Sequence, residues 1–210
     1  MINAIKKNGL ILAIFACAST GLVAVTQYFT ANQIKEQQRV QLLAVLNQVI
    51  PKTEFDNDLY KSCTLVTLDY LTKAPKVHAY IARKNGEPTG MAIESIAPDG
   101  YNGEIKLIVG VNNKGIVTGT RVLSQQETPG LGDKIDLRVS DWILGFTGKY
   151  LTADNQAMWH VRKDGGQFDQ FTGATITPRA VVKAIKNTLE FVASNRDKIY
   201  SQPLDCSTGD

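Results

Sequence analysis

The sequence predicts an α+β fold: an N-terminal transmembrane helix followed by an extracytoplasmic domain of antiparallel sheet with packed helices. Three observations carry this. Residues 10–29, LILAIFACASTGLVAVTQYF, hold no charged side chain. Five short runs rich in β-branched residues lie between residues 63 and 123, punctuated by turn-forming pairs. A long amphipathic stripe begins near Thr177, directly ahead of Pro178.

The apolar run comes first. About 20 apolar residues in a helix cross a bilayer core of about 30 Å, and Gln27 and Tyr28 fall where amphipathic side chains sit at the interface. A cleaved signal peptide has a shorter apolar region, although Ala16-Cys17-Ala18 imitates a cleavage site. Lipid attachment at Cys17 is a third reading, set against it by bulky Phe15 and by apolar sequence that continues past the cysteine. An uncleaved span fits best. Lys6 and Lys7 precede it directly, whereas Lys35 and Arg39 follow at a distance beside Glu36, so charge asymmetry favours a cytoplasmic N-terminus. Cys63 and Cys206 would then share an oxidising compartment, where they could pair or stay as two thiols.

Next, Leu42, Leu43, Leu46, Val49 and Ile50 form one helical face in residues 32–50, which Pro51 ends. The runs CTLVTL (63–68), VHAYIA (77–82), MAIESIA (91–97), EIKLIVGV (104–111) and GIVTGTRVL (115–123) read as strands of an antiparallel meander. Asn85-Gly86, Asp99-Gly100, Asn102-Gly103 and Asn112-Asn113-Lys114-Gly115 supply turns. VSDWILGF (139–146) predicts a short helix and residues 159–162 a further strand, closed by Asp164-Gly165-Gly166. The final helix is expected from Thr177 to about Lys198, with Thr177 as N-cap and Pro178 as its first residue. Val182, Ile185, Leu189 and Val192 form its buried stripe, opposite Lys183, Lys186, Asn187 and Glu190. The organisation is a cytoplasmic terminus (1–9), the span (10–29), a membrane-proximal helix and linker (30–60), the main domain (61–200) and a loose tail (201–210).

Composition removes several function classes. The 210 residues are 43% hydrophobic and carry a formal charge of +3, of which Lys6 and Lys7 supply two. A pI of about 8.7 without a clustered basic face argues against nucleic acid. His78 and His160 stand alone, without metal-ligand spacing. Gly130-Leu131-Gly132 opens like a dinucleotide fingerprint, but position 135 is Ile where the pattern needs its third glycine. No phosphate-cradling lysine loop, nucleophile elbow or closely spaced cysteine pair is present, so the expectation is no catalytic residue and no metal. Any chemistry must come from something the chain carries.

The stretch DQFTGAT, Asp169–Thr175, is the informative one. Gly173 permits a backbone conformation other residues avoid, and Ala174 keeps the site uncrowded. Thr175 falls at the mouth of the final helix, where N–H groups and the dipole favour an anion, to which Arg179, and Lys183 one turn further on, could add charge. Two readings stand: a phosphate beside Thr175, or a loop-to-helix turn without a ligand.

Asp169-x-x-Thr172-Gly173-Ala174-Thr175 resembles the motif by which bacterial flavin transferases recognise extracytoplasmic FMN-binding domains. Glu127-Thr128-Pro129-Gly130-Leu131-Gly132 is similar to that family's second signature, a loop against the bound flavin. With one N-terminal span and this length, the whole chain resembles the G-subunit family of Rnf (Rsx) electron-transport complexes. The C subunit of the sodium-pumping NADH:quinone reductase, which is usually longer, is the alternative. An unmodified extracytoplasmic ligand-binding or signalling module is the reading from another class. The resemblance implies covalent FMN joined by phosphoester to Thr175, with Thr172, Gly173, Ala174, Glu127, Thr128, Gly130, Leu131, Gly132 and Arg179 around the cofactor. It assigns Asp169 to recognition by a periplasmic flavin transferase. It further implies the bacterial inner membrane, an inside N-terminus, a periplasmic flavin domain and other membrane subunits of the complex as partners. The protein would relay electrons in an ion-translocating oxidoreductase without turning over a substrate alone. Thr172 stands where serine is commoner in that motif.

Overall fold

The computed structural model describes residues 2–206. Two compact units divide near Leu42 and Leu43. The first is the bulk of helix α1, Ile2–Val49. Its residues Leu10, Leu12, Phe15, Leu22 and Phe29 are all exposed, as a lipid-facing surface requires. Three hydroxyls on it are satisfied within the helix: Ser19 donates to the Ala16 carbonyl at 3.0 Å, Thr26 to the Leu22 carbonyl at 2.8 Å and Thr30 to the Thr26 carbonyl at 2.9 Å. Such internal pairing is what hydrocarbon demands of a polar group. Residues 32–50 do not form a separate helix, because nothing in the sequence before Pro51 interrupts α1.

In the second unit, β1 (Cys63–Thr67), β2 (Lys76–Lys84), β3 (Glu87–Ala97), β4 (Ile105–Asn112) and β5 (Val117–Ser124) form one antiparallel sheet in chain order. Alternation decides its two faces. Met91 and Ile93 of β3 pair with Val111 and Val109 of β4, and this face is covered by helix α2, Ile176–Ser201. Val182, Ile185, Leu189 and Val192 are buried there, as the stripe predicts. On the opposite face Gly110 lies across from Gly119. A Cβ on Gly119 would stand 2.7 Å from the Val49 Cα, so the paired glycines admit the backbone of the last α1 turn. Thr118 Oγ1 donates to the Val49 carbonyl at 2.5 Å and Arg121 Nε to Gln48 at 2.8 Å.

Between β5 and α2 the chain runs through 3-10 turns at Gly132–Ile135, Asp141–Phe146, Ala153–Met158 and Arg162–Asp164. The expected helix at 139–146 is thus a 3-10 turn, capped by the Ser140 hydroxyl accepting from the Trp142 N–H. The strand expected at 159–162 is reduced to a single bridge between Val161 and Phe168. There the chain folds back on itself, with the Arg162 N–H bonded to the Phe168 carbonyl at 2.7 Å, and Gly165 turns it at φ +85°. These turns bury Phe146, Trp159, Phe168 and Phe171 as an aromatic cluster, with Phe146 stacked on Phe168 at 4.4 Å between ring centroids. Of the loose tail expected over residues 201–210, residues 207–210 lie outside the described residues; before them a disulfide joins Cys63 to Cys206, and the Asp205 N–H donates to the Cys63 carbonyl at 2.9 Å.

Candidate functional site

Three chain segments that sequence separates meet around one cavity of about 330 Å³, within the range of about 300–1,000 Å³ typical of small-molecule sites. The loop after β5 contributes Glu127, Thr128, Leu131 and Gly132. The turn and first residues of α2 contribute Gly173, Ala174, Thr175, Ile176 and Thr177. The β3–β4 connection contributes Tyr101. A larger hollow of about 490 Å³ between residues 70–75 and α2 holds neither motif. The smaller one is therefore the candidate site.

Local physics fixes each wall. Phe171 is buried against Trp142, ring centroids 5.1 Å apart, and anchors the turn from below. The Ala174 N–H donates to the Phe171 carbonyl at 3.1 Å, closing the turn, and Gly173 takes φ +81°, which a side chain would resist. Helix α2 then starts earlier than the Thr177-Pro178 pair suggests. Thr175 is its N-cap, with no side-chain capping bond, so its hydroxyl is uncommitted at the cavity wall. Pro178 becomes the third helical residue, still within the first turn where its missing N–H has no intrahelical acceptor.

Thr177 is buried instead of capping. Its hydroxyl donates to Glu127 Oε2 at 2.5 Å, while Oε1 of the same carboxylate accepts the Asn102 N–H at 3.2 Å. Glu127 is only 5% exposed, and both of its oxygens are engaged by protein donors, as burial of a carboxylate demands. Gly132 lies against this pair: a Cβ there would stand 2.6 Å from Glu127 Oε2 and 2.8 Å from the Thr177 hydroxyl. The second glycine of the loop is thus required by contact with the carboxylate.

Residues 100–190 match the family described as the FMN-binding domain, and residues 1–49 match the RnfG N-terminal region. The chain is 68% identical over 207 residues to the G subunit of the ion-translocating oxidoreductase complex of Vibrio parahaemolyticus, covering 99% of this chain and 98% of that relative. It is 64% identical over 206 residues to the protein of the same name from Vibrio cholerae, covering 98% and 99%. The corresponding values for Aliivibrio fischeri are 54% over 209 residues, 99% and 100%. The chain belongs to the G-subunit family of ion-translocating oxidoreductase complexes. It carries an FMN-binding domain, and this G subunit is a single-pass membrane protein, α1 being the one described helix long and apolar enough to span a bilayer.

The cavity suits FMN. An uncommitted hydroxyl stands at the N-terminus of a 26-residue helix, and the neighbouring walls offer Leu131, Ile176 and the aromatic Tyr101. Of the residues the sequence singled out in this G subunit, Thr175, Gly173, Ala174, Glu127, Thr128, Leu131 and Gly132 come together here. Thr172 lies exposed on the turn and Gly130 on the loop, both outside the lining. Arg179 does not reach the Thr175 end. Its guanidinium is held by Asp164 through bonds of 2.6 and 2.7 Å, and Lys183 is paired with Asp99 at 2.5 Å. The charge of Arg179 meets a nearer carboxylate that the sequence could not place. Asp169 faces outward, bonded to Arg162 at 2.9 Å, with its carbonyl accepting from Trp142 Nε1 at 2.8 Å. Tyr101 and the Glu127–Thr177 bond escaped sequence reading. Asn102-Gly103 signalled only a turn, and nothing local tied position 127 to 177.

Proposed function

We propose that this chain is a membrane-anchored flavoprotein that holds FMN by a phosphoester to the Thr175 hydroxyl and relays electrons within a complex coupling electron transfer to ion translocation. One observation carries the choice of atom. Of the three threonines at the helix mouth, Thr172 is exposed outside the cavity lining and Thr177 is only 1% exposed and bonded to Glu127. Thr175 is the one of the three that lines the cavity with a hydroxyl free of a capping bond, and unlike Thr128 of the facing loop it stands at the N-terminus of α2.

Bound FMN supplies one- and two-electron redox chemistry. The protein's part is to hold and shelter it. The helix N-terminus at Thr175 would hold a phosphodiester through the N–H groups and positive dipole end of α2, without Arg179, whose guanidinium is held by Asp164. Leu131, in the cavity wall, would offer the ring an apolar contact. Glu127 orders its own loop instead of bonding to the ring, since its two oxygens already serve Thr177 and Asn102. The covalent link makes retention independent of affinity on a face of the membrane that has no cytosolic flavin pool to draw on.

The exposed Asp169 and Thr172 are accessible to a periplasmic flavin transferase, which would mature the protein. Lys6 and Lys7 support a cytoplasmic N-terminus, and the Cys63–Cys206 disulfide supports a periplasmic main domain, because disulfides persist in oxidising compartments. The inner membrane is then the location, and the partners are the other membrane subunits of the Rnf (Rsx) complex. The chain by itself turns over no substrate.

The test is mass spectrometry of the peptide containing Thr175 from protein matured with its transferase. The peptide should carry the mass of FMN less water. After denaturing electrophoresis the wild-type band should fluoresce; Thr175→Ala should abolish that signal and Thr177→Ala should keep it. An unmodified Thr175 peptide overturns the proposal.

A further inference from the structure

A transferase that reads Asp169 and Thr172 but acts on Thr175 needs the geometry between them fixed before it docks. The turn cannot fix that geometry alone. Thr172, Gly173 and Ala174 carry at most small side chains, Thr172 and Gly173 are exposed, and Gly173 stands at φ +81°. Glycine leaves a chain many conformations to choose from.

The restraint comes from Trp142, in the 3-10 turn Asp141–Phe146 and 27 positions before Asp169. Its indole Nε1–H donates to the Asp169 carbonyl at 2.8 Å, where the acceptor turn begins. Its ring also meets the buried Phe171 edge-on, with centroids 5.1 Å apart, and so grips the turn a second time. On another side it meets the fully buried Phe146 edge-on at 5.3 Å, an arrangement that aromatic rings favour. One side chain thus ties an exposed turn to the buried aromatic cluster. Two other contacts, Arg162 Nε with the Asp169 carboxylate at 2.9 Å and the Lys163 N–H with Gln170 Oε1 at 3.2 Å, engage exposed side chains of the turn, whereas Trp142 holds backbone. Trp142 does not line the flavin cavity, so holding the cofactor does not account for its position.

We propose that Trp142 is a positioning residue for flavin attachment: it holds the acceptor turn in the conformation that the flavin transferase binds. This rests on the Thr175 reading above. In the transfer the Thr175 oxygen bonds to the flavin-side phosphorus of FAD, and the bond from that phosphorus to the pyrophosphate bridge breaks. The bridging oxygen leaves with AMP, and the hydroxyl proton passes to a base of the transferase. Trp142 takes no part in these bonds. Its loss lowers the fraction of chains competent to dock, which weakens apparent binding in proportion and leaves the docked complex unchanged.

The test uses unmodified full-length protein in detergent, purified from cells without the transferase, then flavinylated with purified transferase and FAD. Trp142→Phe keeps an aromatic ring beside Phe171 and Phe146 but removes the N–H donor. KM for the acceptor chain should rise about fivefold, the weight of one ordinary hydrogen bond, while kcat and the KM for FAD stay at wild-type values. Amide exchange over residues 169–175 should quicken severalfold, with the centre of α2 protected as in wild type. Cys63→Ser, which loosens the fold at the tail, should leave the acceptor KM unchanged and so separates positioning from general loss of stability. A wild-type acceptor KM in Trp142→Phe, a fall in kcat alone, or an equal rise in Cys63→Ser overturns the inference while the Thr175 assignment stands. A wild-type chain that takes up no flavin at Thr175 overturns that reading and this inference with it.

Discussion

The Thr177 hydroxyl donates to Glu127 Oε2 at 2.5 Å in a buried contact that spans fifty positions of sequence. This single hydrogen bond joins the loop after β5 to the mouth of α2, and the shape of the cavity depends on it. Thr177→Val keeps the side-chain shape and removes the donor, leaving a carboxylate oxygen unpaired in a buried site. Full-length protein in detergent should lose about 1–3 kcal/mol of unfolding free energy, read as a lower denaturant midpoint. Thr177→Ser should recover most of it. Fluorescence of the denatured band should persist in both variants, because the modified hydroxyl is that of Thr175.

Gly132 touches both partners of that bond, so its replacement should couple to theirs. Gly132→Ala forces a Cβ to within 2.6 Å of Glu127 Oε2, and overpacking of this kind costs about 1–3 kcal/mol. Gly130→Ala meets open space but must hold φ +77°, a conformational cost of about 1–2 kcal/mol. Combination with Thr177→Ala separates them. The Gly132 pair should depart from additivity by about 0.5–3 kcal/mol, whereas the Gly130 pair, without a shared contact, should add. Additive behaviour for Gly132 would contradict the packing described.

Much of this was legible in the sequence because it depended on local pattern. β-branched runs and Asn-Gly or Asp-Gly turns marked all five strands, and the stripe from Val182 to Val192 marked α2. The motif residues from Gly173 to Thr175 and, across from them, Glu127, Thr128, Leu131 and Gly132 line one cavity. What was missed depended on distance. The N-cap fell on Thr175 because Glu127, remote in sequence, engages the Thr177 hydroxyl. Arg179 turned to Asp164 for the same kind of reason. The region 139–168 is shaped by the packing of Phe146, Trp159 and Phe168 into one cluster, and no periodicity announces that. Tyr101 could have been noticed only as a large aromatic between two turn signals.

The 3-10 turn that follows the Glu127–Gly132 loop is closed by a charged pair with a pH signature. Arg138 donates to the Asp136 carboxylate through Nε at 3.1 Å and Nη2 at 2.5 Å. These bonds foremost, against an opposing effect of burial, and then the Arg138 backbone N–H and charge, hold the Asp136 carboxyl below its ordinary range. Because the folded value is depressed, the stabilisation is present above the unfolded carboxyl value of about 3.9 and is lost as pH falls through the lower folded value. Arg138→Ala should move the acid-unfolding midpoint to higher pH. Arg138 is exposed, so the shift should shrink in high salt. Acid titrations followed by circular dichroism at two ionic strengths check both statements.

The Cys63–Cys206 bond closes a loop with a sequence separation of 143 and fixes the tail against β1, where Thr64 Oγ1 also donates to the Pro203 carbonyl at 3.1 Å. Loop closure of this size restricts the unfolded chain strongly, so either Cys63→Ser or Cys206→Ser should cost about 2–5 kcal/mol. The double variant should cost little more than one single variant, since the crosslink is lost only once. Neither cysteine lines the cavity, so flavin content at Thr175 should match wild type while the unfolding midpoint falls. A matching drop in flavin content would instead mean that the tail's attachment to β1 is felt at the mouth of α2. The core that α2 shares with the sheet is the route by which that strain would travel.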